Sequence, residues 1–581
     1  MHIGFVGPLA GIECRRELVR PWVFWVRGIA TLPPALVLTA VFWTWWFTAP
    51  LAAHYSTERF SPLPTLQVGL ISLEAILITI SAVLTPALLA GSLAGEKTCN
   101  TLGLLLACLV FPREIVAARL AGRLSVVGTI LLATIPGIVL LAGFLTQPLF
   151  VYGALLLLPA AIAFGAGGLA IAGSAVSRRG RDALLAVYLL DLLFLLVPFF
   201  GWLLPTSIQV YLDPLNPYYG IAPLVQDTDP VPALYTAGIW LAMGLAGAIC
   251  AAWQLRPAYL RDSQKSASRR WLLGRRRVPA VGDQPILWKE LHVEHLRSLN
   301  RFVQWLAILI VGIFSGVSFV LVGMWGWETF VTLSAAKANW AESRLASWMR
   351  GSFAISWLLQ WTMGLRAAVA IASEREKSTW DSLLLCPLEG RDIVLAKIYG
   401  SLYSLRWFAA VIILAWTASA FTGALSVVQC ATLIADTVII GMFMVATGVW
   451  FSLYCSTATR AMTLTLVAWM MAALITLVLA WMVVLAIALL LVILQLALFG
   501  SGNPPVMFVT LPGSLSWFEI GVTAVKLLCY ALFAFIITLY CRRNFDRLAG
   551  RAFDTPRPRR TRRRRRVKTV GLSQRIDGSP V

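Results

Sequence analysis

Uninterrupted apolar runs of bilayer length recur along almost the whole chain, and they constrain its fold more than any other feature. Three examples are TLPPALVLTAVFWTWWFTAPLAA at 31–53, SVVGTILLATIPGIVLLAGFL at 125–145 and IGVTAVKLLCYALFAFIITLYC at 520–541. A helix needs about 20 apolar residues to cross a hydrocarbon core about 30 Å thick. Inside lipid every backbone N–H and C=O must be satisfied within the protein, so apolar runs without alternating polarity form helices. The chain is 59% apolar and 13% charged over 581 residues, a profile foreign to a soluble globular protein. The expected fold is an all-α polytopic membrane protein with about 12 transmembrane helices.

Six spans are expected in the first part, at 28–50, 66–94, 122–146, 149–175, 183–204 and 233–255. Six more follow at 303–326, 351–372, 398–421, 427–453, 462–499 and 519–541. The fifth of these holds 38 uncharged residues, too many for one crossing, so it reads as a span plus a re-entrant piece or a broken helix. The first span begins behind ECRRELVRPWVFWVRG with no small-residue cleavage site, and is read as retained rather than as a signal peptide.

Charge sets the orientation. The chain carries 48 Lys and Arg against 27 Asp and Glu, a net charge of +21. Fourteen of the basic residues lie from Arg542 onward and eight between Arg256 and Arg277. Both clusters flank apolar spans, so the positive-inside rule puts them in the cytoplasm, with both termini. The stretch from Pro205 to Pro232 has three acids and no Lys or Arg, and faces outward. The Arg-rich tail reads as a topology signal resting on anionic headgroups, and no nucleic-acid partner is expected. Nine Cys without a CxxC pair and four His, two of them at His292 and His295, indicate no metal site and no disulfide framework.

The chain also repeats itself. GEKTCNTLGLLLACL, which begins at Gly95, comes within one residue of a phosphate-binding P-loop, but Glu96 stands where that loop needs Gly before its Lys. Shifted by 278 positions, the stretch falls on SEREKSTWDSLLLCPLEGRDIVLAKIYGSL at 373–402. From Glu96/Glu374 to Leu124/Leu402, eleven of twenty-nine positions are identical without a gap, including Thr101/Thr379, Leu105/Leu383, Leu106/Leu384 and Gly122/Gly400. Chance would give roughly two. The second copy has no Gly at either P-loop position, so what recurs is a charged start running into leucines. Before the first span of each half lies a charged-apolar segment suited to a helix in the interface plane. The expected organisation is a first six-span unit at 1–255, a basic linker at 256–285, a second unit at 286–541 and a basic tail at 542–581.

The repeated motif lies in the cytoplasmic loop between spans two and three of each half, where it reads as a docking surface whose charged end is offered to water. SEREKSTWDSLLLCPLEGRDIVLAK resembles the signature loop of type-2 permeases of ATP-binding-cassette exporters, and ILWKELHVEHLRSLNRF resembles their interfacial helix. The resemblance implies a translocation path with a separate cytoplasmic ATPase that carries ATP and Mg, while this chain binds no cofactor and performs no catalysis. It further implies that Glu374, Arg375, Glu376, Thr379 and Lys397 contact the ATPase in the second half, with Pro387 ending the short coupling helix. Glu96, Lys97, Thr101 and Arg119 would do so in the first. The first copy departs from the pattern at Thr98, where the second acid is missing, and at Leu109, where the Pro is missing, so unequal docking is expected.

Ionisable residues inside spans are costly and are default functional candidates; here they are Glu74, Asp191, Arg366, Asp436 and Lys526. Pairing between helices, such as an acid with Lys526, is the plainer role for any one of them. Two rival functions remain open at this point: a twelve-span secondary transporter and a polytopic membrane enzyme. The transported substrate is not legible. The expected location is a bacterial inner membrane.

Overall fold

The computed structural model describes residues 7–550, apart from 47–61, 197–205, 266–284, 293–300, 333–344, 484–516 and scattered shorter stretches. Every regular element among the described residues is helical. In the first part of the chain these are α1 (Gly7–Leu18), α2 (Pro62–Leu89), α3 (Ser92–Thr98), α4 (Leu102–Ala107), α5 (Pro112–Phe144), α6 (Leu149–Val176), α7 (Gly180–Leu196), α8 (Thr206–Leu212), α9 (Ile221–Gln226) and α10 (Val231–Lys265). In the second they are α11 (Pro285–His292), α12 (Arg301–Thr332), α13 (Phe353–Glu376), α14 (Trp380–Leu384), α15 (Gly390–Tyr403), α16 (Arg406–Phe421), α17 (Val427–Tyr454) and α18 (Trp517–Ala549). Residues 458–473 are also helical.

Eight helices among the described residues are long and apolar enough to cross a membrane. The bent pair α15 and α16, which turns by 50°, raises this to nine if it forms one span. Helix α7 is 17 residues long over its described part, and the expected spans at 28–50 and 462–499 lie partly outside the described residues. Two helices outrun their expected ends: α10 continues to Lys265 and α18 to Ala549, so the basic linker and the tail each begin inside a helix. Large apolar side chains such as Phe319, Leu528, Leu532 and Phe535 stand exposed on the flanks of α12 and α18, as lipid contact requires.

Packing follows small residues. Helices α6 and α10 meet so closely that a Cβ added at Gly168 would lie 2.1 Å from the carbonyl oxygen of Gly244. Backbone proximity of this kind is the usual means of helix association in lipid, where apolar burial drives little. Helix α6 is flanked by α2 and α10, and α17 is flanked by α13 and α18. One apolar cluster joins the two parts of the chain: Val83, Ala90, Ala183, Leu184 and Tyr188 pack with Leu365, Ala368, Ala372, Met462 and Trp469.

The segment 206–226 after α7 folds back onto the helices. Asn216 accepts a hydrogen bond from the Tyr218 N–H at 3.0 Å, closing the turn its Asn-Pro sequence signals. Tyr218 then reaches Thr79 on α2, hydroxyl to hydroxyl at 2.8 Å. The matching signal at Asn503-Pro504 lies outside the described residues.

Candidate functional site

The two loops that carry the repeated motif are braced from three sides, and the braces correspond contact by contact. The end of span two comes first. In the first loop the backbone N–H groups of Leu93 and Ala94 donate to Ser174 Oγ at 3.2 and 3.0 Å. In the second, Ile371 and Ala372 donate to Ser452 Oγ at 2.9 and 2.8 Å. All three positions are displaced by 278 residues.

Next come the basic residues. Lys97 donates to the carbonyl oxygens of Ala175 and Ser177 at the end of α6. Arg375, its counterpart, donates to the carbonyl of Cys455 at the end of α17 at 3.4 Å and lies over the Trp380 ring. Cations near the last carbonyls of a helix oppose the negative end of its dipole. Glu376 differs, since its Oε1 accepts the Ala458 N–H at 2.7 Å and so holds the start of the helix at 458–473.

The acids complete the brace. Glu96 is ion-paired with Arg119 on α5, and Arg119 also meets Glu13 on α1 at 3.3 Å. Glu374 meets Lys289 on α11 at 2.5 Å and Lys397 on α15 at 3.7 Å, and Lys397 is paired in turn with Glu290 on α11. Helices α1 and α11 are thereby each tied to a motif loop and to the base of the helix that follows it. Close approach is needed for this: a Cβ added at Gly400 would lie 2.6 Å from Glu290 Cβ, and one at Gly122 would lie 3.3 Å from Glu13 Cβ.

Of the charged start of the motif, Glu374 is buried, Glu96, Lys97 and Arg375 are half-buried and Glu376 is exposed to water as expected. Glu374 and Lys397 are 2% and 1% exposed. Burial of an ion is tolerated only when partners replace its hydration, and the three-way contact around Lys397 does so. Thr379 donates to Glu374, and its backbone N–H donates to the Glu374 carbonyl at 3.0 Å; Thr101 makes the same backbone bond to Glu96 at 3.0 Å. The short helix α4 has no side-chain cap from Thr101, so its start is held by this backbone bond instead.

Large apolar side chains face outward beside the exposed Thr101, Glu376 and Thr379. Leu102 and Trp380 anchor α4 and α14 in the interior, while Leu104 and Leu385 are 72% and 85% exposed. Pro387 lies outside the described residues.

The intramembrane residues divide into two groups. Asp436 on α17 pairs with Lys526 on α18 at 2.5 Å, and Gln360 donates to the same carboxylate at 3.4 Å. Arg366 donates to the Glu290 carbonyl at 3.5 Å. Glu74 and Asp191, in contrast, have buried carboxylate oxygens with no hydrogen-bond partner among the described residues.

Sequence reading missed Glu13, Glu17, Ser174, Lys289, Glu290 and Ser452. For the serines a signal existed in their identity at the common offset of 278. For the acids it was misleading, because the similar runs RREL and WKEL align Glu17 with Glu290, whereas the contacts align Glu13 with Glu290. Compared with protein-family models, curated proteins and solved structures, the chain matches none.

Proposed function

We propose that the chain is the membrane-spanning permease subunit of an ATP-driven exporter, with twelve spans in two six-span halves and a separate cytoplasmic ATPase docked on the loops between spans two and three. The observation that carries this reading is the same brace built twice, 278 residues apart. A loop kept only as a topology signal needs positive charge alone; here acid–base contacts, partly buried in the first loop and buried in the second, lock each loop to a short helix that precedes the first long helix of its half and to two spans. A push on such a loop moves helices rather than bending a tether. In the second half the push also reaches the helix at 458–473 through Glu376.

In this reading Glu96, Lys97, Glu374, Arg375, Glu376 and Lys397 stiffen the loops, and Leu104 and Leu385 meet the partner. The second brace is the more buried, so the second loop bears more of the load. The chain itself holds no ATP; the ATPase supplies nucleotide and Mg.

The full chain, purified from native membranes, is expected to bring with it an ATPase identified by mass spectrometry. Leu385→Asp should abolish that association while the variant keeps its elution volume. Glu374→Ala should weaken it more than Glu96→Ala. Equal losses would remove the asymmetry, and transport driven by a proton gradient with no ATPase bound would overturn the function. The buried carboxylates of Glu74 and Asp191, without hydrogen-bond partners among the described residues, favour a secondary transporter as the second reading, since proton-coupled carriers place acids inside their spans.

A further inference from the structure

Asp191 sits on α7, one turn beyond Tyr188, in a stripe with Leu184 that faces the cluster joining the two parts of the chain. Both carboxylate oxygens are buried, and neither has a hydrogen-bond partner among the described residues. An isolated ionised carboxylate in an apolar interior is costly; either it takes up a proton or a cation compensates it.

Aromatic rings crowd the same place. Tyr188 is pinned by its hydroxyl, which donates to the Val83 carbonyl at 2.7 Å, and its ring meets Trp361 edge-on at 5.9 Å. Trp361 meets Trp469 edge-on at 5.2 Å. The indole N–H groups of Trp361 and Trp469 are buried without hydrogen-bond partners among the described residues. The rings come from α7, from α13 and from the helix at 458–473, so the group lies where the two parts of the chain meet.

The repeat makes the arrangement more specific. Asp191 and Trp469 are separated by the same 278 residues as the loops, and so are Val83 and Trp361. At two related positions one copy therefore supplies a carboxylate and the other an indole, and at two more one supplies a backbone carbonyl that holds Tyr188 and the other a second indole. One acid with several rings is poor chemistry for a metal ion, which needs more oxygen ligands. It suits a bulky organic cation, whose diffuse charge is attracted to aromatic faces and balanced by a single carboxylate.

We propose that Asp191, Tyr188, Trp361 and Trp469 form a binding site for hydrophobic organic cations between the two halves. The proposal rests on the permease reading for the identity of the path, but binding needs no ATPase and is measured on the chain alone.

Radiolabelled tetraphenylphosphonium is added to the purified full chain in detergent, and saturable binding is expected. Asp191→Asn should weaken it at least tenfold, Asp191→Glu should retain it, and Trp361→Leu should weaken it about fivefold. Tetraphenylborate, of the same shape and opposite charge, should show no saturable binding. Elution volume and helical circular dichroism establish that each variant is folded. Absence of saturable tetraphenylphosphonium binding, unchanged binding to Asp191→Asn, or equal binding of tetraphenylborate would each overturn the site. ATPase association would survive that failure, whereas failure of the permease reading would remove the ATPase and leave cation binding measurable.

Discussion

Lys397 carries the most concentrated polar chemistry in the described structure. It is buried against Glu290 and Glu374 and also donates to the Ala370 carbonyl at 3.0 Å. Lys397→Ala strands Glu290 in the interior and leaves Lys289 as the cation beside Glu374, for which a loss of about 3–5 kcal/mol is expected, read as a lowered melting temperature of the protein in nanodiscs. Arg391 provides the contrast: its pair with Glu389 is about 60% exposed on both sides, and Arg391→Ala should change stability by no more than about 1 kcal/mol. Equal effects of the two substitutions would show that the brace does not hold the loop. None of the ranking could be read from the residues, because Lys397 and Arg391 belong to one short basic-acidic stretch and differ only in what packs over them.

At the scale of elements, the decisive contact is the short helix α11 lying against the base of α15, the helix after the second copy of the motif. Gly400 permits it, since any Cβ there would overlap Glu290. Gly400→Val should displace α11, separate Glu290 from Lys397 and lower stability by about 1–3 kcal/mol, as overpacking does elsewhere. Gly122→Val, with its longer approach to Glu13, should cost less; chemical unfolding of the two variants compares them directly. Element positions were largely legible from hydropathy: α2, α5, α6, α10, α12, α13, α17 and α18 fall where apolar length predicts spans. Their ends were not, because α10 and α18 run on as polar helices, where propensity and packing take over from hydropathy.

For the whole molecule, the decisive contact is the one between the two parts of the chain. A Cβ at Gly91 would lie 3.6 Å from Thr459 Cβ, within the range a disulfide spans. Gly91→Cys with Thr459→Cys, in a chain stripped of its native cysteines and given a protease site in the linker at 266–284, should form that bond. After cleavage the halves should run as one band without reductant and as two with it; two bands under both conditions would refute the contact. The sequence by itself determined that the chain is helical, apolar enough to span a membrane many times, and built around a motif used twice, because hydropathy and repetition are properties of neighbouring residues and of fixed offsets. Only the tertiary structure decided which charges are partnered. Glu290 and Lys397 lie 107 residues apart, Lys289 and Glu374 lie 85 apart, and Asp191 has no hydrogen-bond partner among the described residues, since pairing depends on which helices meet and how closely their small residues let them approach.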